Sequence, residues 1–197
     1  SPGGVPRGLT FDGRTLWHVD STANLVYQID IRDGTTIRSF NGPVGAPVAL
    51  TYDGRTLWIV DGANIYQVDV RDGTTIRSFA SPAPDPNGIT WDGRTLLITD
   101  SVTNLVYQVY PRDGTVIRSF SVAADSQDLT WNERLIWILK LPANPMRLRD
   151  PRDGTQIFNL DPEGGPLEPR GIVWDGRALW LTNSAGDTIR QPSLADV

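Results

Sequence analysis

The stretch Gly8–Phe40, GLTFDGRTLWHVDSTANLVYQIDIRDGTTIRSF, recurs along the chain. Further copies begin at Ala49, Gly88, Asp128 and Gly171, and the aligned Leu9, Leu50, Ile89, Leu129 and Ile172 lie 41, 39, 40 and 43 residues apart. A period near 40 residues, built only of short strand signals, is what a ring of β-sheet blades writes into a sequence. A blade cannot bury both of its faces alone, so the copies must fold as one unit. The 197 residues are therefore read as a single domain, with repeats at about 8–40, 49–79, 88–120, 128–160 and 171–191.

Each full copy carries four strand signals. In the first they are strand A at about Gly8–Phe11, B at Thr15–Asp20, C at Leu25–Ile31 and D at Thr35–Phe40. Asp12-Gly13 and Asp33-Gly34 separate pairs of them, and the pairs recur as Asp53-Gly54, Asp72-Gly73, Asp92-Gly93, Asp113-Gly114, Asp153-Gly154 and Asp175-Gly176. Asp-Gly between two β-rich runs marks a tight hairpin, because the turn needs positive φ. Strand B reads Leu16-Trp17-His18-Val19, with none of the alternation of a sheet that has one wet face. Strand D is polar at Thr35, Thr36, Arg38 and Ser39, as suits an exposed edge. The fifth copy offers A, B and C at Gly171–Trp174, Ala178–Asn183 and Asp187–Gln191, and no fourth β-rich run follows Pro192. The expected fold is all-β: a five-bladed β-propeller of four-stranded antiparallel blades, WD40-like in architecture, with a three-stranded last blade. Closure is expected from face packing of blade 5 on blade 1. Both a monomer and a strand-completing oligomer satisfy this pattern.

Composition narrows the partners. The net charge of −5, from 18 basic and 23 acidic residues, argues against nucleic acid or an anionic membrane. With no Cys, disulfides and thiolate metal sites are excluded. No apolar run is long enough to span a membrane, and Ser1 opens no signal-peptide pattern. We expect no cofactor and a protein or small molecule as ligand.

The copies resemble the repeats of NHL-type and streptogramin-lyase-like propellers. The shared pattern is Gly8-Leu9-Thr10-x-Asp12-Gly13, then an aliphatic-Trp strand ending in Asp20. Asn24 with an aliphatic-aromatic strand follows, then Asp33-Gly34 and a last strand ending in Phe40. The resemblance covers nearly the whole chain and implies ligand or protein binding through one face of the ring. A looser similarity runs to plant-type glutaminyl cyclases. The lyase branch implies a metal and a His general base. Here His18 is the single histidine, and the aligned copies carry Ile59, Ile98, Ile138 and Leu181. That column reads as blade core, with Asp20 the only acid placed to orient a catalytic imidazole.

Two columns stand out as candidate binding residues. The end of strand B gives Asp20, Asp61, Asp100, Lys140 and Asn183. These acids are read either as a cation-attracting ring or as turn residues accepting backbone N–H bonds, and the second reading is favoured. The residue before strand A gives Arg7, Val48, Asn87, Gln127 and Arg170. In a closed ring Arg7 and Arg170 become neighbours, and with Lys140 they can grip a carboxylate or phosphate. The candidate binding set is Arg7, Asp20, Asp61, Asn87, Asp100, Gln127, Lys140, Arg170 and Asn183, on the face carrying the D–A and B–C loops. The Arg residues around the Asp-Gly turns are read as partners of local acids on the opposite face. Blade 4 departs most: Asn132-Glu133 replaces Asp-Gly, Pro145 and Met146 enter strand C, and Phe158 replaces an Arg. Leu141, Met146 or Phe158, if exposed, would mark a partner surface. The reading is a non-catalytic binding or scaffolding module with no catalytic residues. The alternatives are a lyase- or cyclotransferase-like enzyme and a repeat-amplified or engineered ring without its own ligand.

Overall fold

A computed structural model describes residues 4–140, 146–160, 168–184 and 186–192. Blade 1 comprises β1 (Pro6–Phe11), β2 (Thr15–Asp20), β3 (Leu25–Asp30) and β4 (Thr36–Asn41). Blade 2 comprises β5 (Pro47–Tyr52), β6 (Thr56–Asp61), β7 (Asn64–Asp69) and β8 (Thr75–Ala80). Blade 3 comprises β9 (Pro86–Trp91), β10 (Leu96–Asp100), β11 (Leu105–Val109) and β12 (Val116–Ser121). Blade 4 comprises β13 (Ser126–Trp131), β14 (Ile136–Lys140), β15 (Met146–Arg149) and β16 (Gln156–Leu160). Blade 5 comprises β17 (Pro169–Trp174), β18 (Leu179–Asn183) and β19 (Thr188–Arg190). Each sheet is an antiparallel meander in sequence order, four-stranded in blades 1 to 4 and three-stranded in blade 5.

The innermost strands β1, β5, β9, β13 and β17 touch one another in turn, and β17 returns to β1. The ring is therefore closed at its centre. Close approach explains the small residues Gly8, Ala49, Gly88 and Gly171: a Cβ on Gly8 would collide with the Ala49 backbone, and one on Gly171 with the Arg7 carbonyl. A row of threonines then clasps neighbouring blades. Thr10, Thr51, Thr90 and Thr130 each accept, at 3.1 Å, the N–H of Tyr52, Trp91, Trp131 and Trp174 in the following blade. The fifth position is Val173, which has no hydroxyl. The seam instead carries a bond from the Thr182 hydroxyl to the Arg7 carbonyl at 2.8 Å.

The second strands are buried on both faces, as β2 and β6 show along their whole length, whereas β4 and β8 are largely exposed. Between blades, buried Trp17, Leu57 and Val68 pack with Phe40. The turn Asp anchors this layer. Asp12 Oδ2 accepts from Trp17 Nε1 at 2.8 Å and from the Thr15 hydroxyl at 2.6 Å. Asp53 with Trp58, and Asp175 with Trp180, repeat the Trp bond at 2.8 and 2.7 Å.

In blade 4 the condition for a partner surface is not met at Met146, which is fully buried: it takes the cross-blade position of Val26 and packs with Leu139 and Leu179. Phe158 is exposed at 39%. Leu141, Pro142, Asn144 and Pro145 lie outside the described residues.

Candidate functional site

Every blade shifts register at one point near the start of its inner strand. In blade 1 Pro6 pairs with Asp20 but Leu9 with His18, so one extra residue is inserted. The same slip follows Pro47, Pro86, Ser126 and Pro169. It falls at Arg7, Val48, Asn87, Gln127 and Arg170. These five residues thus sit inside the inner strands at β-bulges, not before the strands as the sequence pattern implies. Sequence periodicity places a strand start at the first alternating residue, and a bulge breaks that alternation. A bulge also re-aims the side chain it carries.

The bulge residues reach across blades. Arg170 Nη1 donates to Gln127 Oε1 at 3.2 Å, and Asn87 Nδ2 donates to the Ser126 carbonyl at 2.9 Å. Asn87 Oδ1 in turn accepts from the Thr99 hydroxyl. Val48 packs instead on the apolar cluster between blades 2 and 3. Arg7 Nε donates to the Ser21 hydroxyl at 3.3 Å. Burial, and then the neighbouring Arg170 charge, lower the Arg7 pKa from its ordinary value. Arg170 lies 3.8 Å from Glu168, a loose pair. Among the described residues no ion pair involves Arg7.

The acids at the strand ends face inward to backbone. Asp20 accepts N–H bonds from Val5, Thr22 and Ala23, and these outweigh burial to hold its pKa below the ordinary value. Asp61 accepts from Val44, Gly45 and Ala46. Asp100 accepts from Asp85, Val102 and Thr103. Each carboxylate therefore ties a B–C loop or a D–A loop, or both, to its strand. Asn183 accepts more weakly from Glu168 N–H at 3.4 Å. Lys140 is half-buried and pairs with Ser126 across β13 and β14. Among the described residues no group of three or more His, Cys, Asp or Glu is arranged to hold a metal ion.

His18 is fully buried and stacks on Tyr27 at 5.0 Å between ring centroids. Its Nδ1 lies 3.3 Å from the Val19 carbonyl. Burial pushes its pKa down to about 4, so the imidazole is neutral at neutral pH. On the opposite face, Arg32, Arg71 and Arg152 pair with Asp30, Asp69 and Asp150 at 2.6, 2.6 and 3.2 Å. These surface pairs contribute little each.

One residue of note escapes the sequence reading. Asp128 occupies the small-residue column of Gly8, Ala49, Gly88 and Gly171. It is buried, its Oδ2 accepts the Ile172 N–H at 3.0 Å, and its Oδ1 has no partner among the described residues. Burial raises its pKa well above the usual carboxylate range. The signal is present in the alignment of the copies: an acid standing where every other copy has glycine or alanine.

Five antiparallel blades closed about an axis make this chain a β-propeller. No protein-family model and no curated protein sequence matches it. Among solved structures it is similar to Myxococcus xanthus glutaminyl cyclase, with a TM-score of 0.81 and 12% identity over 96% of this chain and 90% of that one. It is also similar to a chain of a nidogen/laminin complex, with a TM-score of 0.67 and 18% identity over 98% of this chain and 78% of that one. A chain of a mitotic checkpoint complex gives a TM-score of 0.59 and 15% identity over 95% of this chain and 63% of that one. At these identities the likeness is one of fold.

Proposed function

We propose that this propeller is a non-catalytic binding module that holds an anionic group, a carboxylate or a phosphate, between Arg7 and Arg170 on the D–A/B–C loop face. Asn87, Gln127, Lys140 and Asn183 form the polar rim around that pair. Asp20, Asp61 and Asp100 serve it by fixing the loops. The observation that carries the reading is the pairing of two guanidinium groups from the first and last blades. Their mutual repulsion adds to burial in lowering the Arg7 pKa, and Glu168 at 3.8 Å compensates them only loosely. A shared anion relieves that repulsion and accepts charge-assisted bonds from both.

The enzymatic alternative needs a presented acid–base pair. His18 is buried within its blade and Asp20 is engaged by three backbone N–H groups, which supports the non-catalytic reading. Calorimetric titration with inorganic phosphate and with succinate tests the proposal. Saturable one-to-one binding is expected, weakened at least about tenfold by Arg7→Gln or Arg170→Gln, each neutralising one charge-assisted contact. Absence of saturable binding of either anion, or binding indifferent to both substitutions, refutes it.

A further inference from the structure

Successive interfaces of the ring repeat one arrangement of two arginines, one from each blade, and the interface between blades 2 and 3 lacks the bonds that hold them elsewhere. Between blades 1 and 2, Arg38 Nε donates to Gln28 Oε1 at 2.7 Å and Arg38 Nη1 to the Val70 carbonyl at 3.4 Å. Arg71, across that groove, pairs with Asp69 at 2.6 Å. Between blades 3 and 4, Arg118 donates to Gln108 Oε1 at 2.6 Å and to the Arg152 carbonyl at 2.8 Å, and Arg152 pairs with Asp150 at 3.2 Å. The equivalents between blades 2 and 3 are Arg77 and Arg112. Gln67 Oε1, the acceptor that stands where Gln28 and Gln108 serve Arg38 and Arg118, is buried without a partner among the described residues. Arg112 has Tyr110 where Arg71 and Arg152 have Asp69 and Asp150. Among the described residues neither Arg77 nor Arg112 takes part in an ion pair.

Both guanidinium-bearing side chains line one open cavity of about 220 Å³, which Trp91 and Pro111 wall on the side of blade 3. Trp91 is half-buried and packs on the apolar cluster of Trp58, Ile89 and Leu96. Two acids lie close by, and each is engaged. Asp53 borders the cavity, and its oxygens accept from Trp58 Nε1, the Thr56 hydroxyl and the N–H groups of Arg55 and Thr56. Asp113 follows Arg112 in the chain and accepts the Thr115 N–H. The volume falls below the roughly 300–1,000 Å³ of pockets for drug-sized ligands, so it suits a single ring with one acidic group. An apolar wall beside two guanidinium groups sets the chemistry: the wall takes a flat ring, and the guanidinium forks match a carboxylate.

We propose that this cavity binds a small aromatic carboxylate, with its ring against Trp91 and Pro111 and its carboxylate shared by Arg77 and Arg112. The ligand supplies to Arg112 the acid that Tyr110 withholds. It gives Arg77 an acceptor in place of the carbonyls that Arg38 and Arg118 reach in the following blade. Asp53 belongs to an A–B turn and Arg112 to a C–D turn, so the site lies on the face opposite the Arg7–Arg170 pair. It stands independently of the anion reading there.

The test is a titration of the full 197-residue chain with benzoate, followed by the ¹⁵N–¹H resonances of the arginine side chains, with acetate as the ringless comparison. The Arg77 and Arg112 Nε–H signals should move together along one saturating curve, while those of Arg38 and Arg118, bonded at the neighbouring interfaces, stay fixed. Acetate should bind at least about tenfold more weakly, since it leaves the apolar wall uncovered. Tyr110 is exposed, and Tyr110→Asp restores the acid found in the other blades. That variant should weaken benzoate at this site at least about tenfold by occupying Arg112. No saturable movement of the two signals up to about 10 mM, ten times a millimolar Kd, overturns the proposal. Acetate binding there as tightly as benzoate overturns it too, as does a Tyr110→Asp chain that binds benzoate like the native one.

Discussion

His18 illustrates how one residue can read as chemistry and act as packing. Its column is otherwise aliphatic, and its ring is stacked on Tyr27 in the blade interior. Its pKa of about 4 in the fold is below the ordinary 6.5. The unfolded chain therefore takes up a proton that the folded chain refuses, and stability is lost as pH falls from about 6.5 towards 4. His18→Ile, which copies Ile59, should gain on the native chain by up to about 3 kcal/mol between pH 7 and pH 4, since a tenfold difference in proton affinity is worth about 1.4 kcal/mol. Urea denaturation across that range checks it, and a gain that does not change with pH contradicts it. Asp128 carries the opposite sign. Its raised pKa means that its contribution is present at low pH and declines as pH rises.

At the scale of the element, the turns and clasps separate local propensity from ring geometry. The first turn of blades 1, 2, 3 and 5 has glycine at φ near +93°, whereas blade 4 holds Glu133 at +74°. Asn132 still caps that turn, accepting the Leu135 N–H at 2.8 Å. Glu133→Gly should stabilise the protein by roughly 0.5–1 kcal/mol, the left-handed penalty less the entropy glycine adds to the unfolded chain. The threonine clasp gives a complementary case. Thr90→Val should cost about 1 kcal/mol, because the Trp131 N–H loses its acceptor. Val173 already occupies the fifth place, so valine fits the site and the loss reports the hydrogen bond. Thermal denaturation of both variants decides, and an unchanged midpoint in either case contradicts the corresponding account.

The whole molecule is legible in its repeats. Spacing, Asp-Gly turns and two-sided apolar second strands lead to five blades with a three-stranded last one, because each of those signals is local. What is not legible is what depends on neighbouring blades. The bulges that carry Arg7 and Arg170 break the alternation that marks a strand, so in the sequence these residues seem to precede their strands only because their pairing is set by ring geometry. Whether Met146 is exposed is not legible either, because part of its cover comes from a different blade. Asp128 stands out among the aligned copies, but its burial against Ile172 of the next blade is set by a contact that only the ring brings together. The constant letters of the repeat build the blades.

The anion site proposed at the first-to-last-blade junction is the central claim to test. Its most direct test is a phosphate titration followed by the ¹⁵N–¹H resonances of the arginine side chains. The Arg7 and Arg170 Nε–H signals should move together along one saturating curve, while those of Arg32 and Arg71, paired on the opposite face, stay fixed. Uniform drift of all arginines, or no movement of these two, would contradict the proposed anion site.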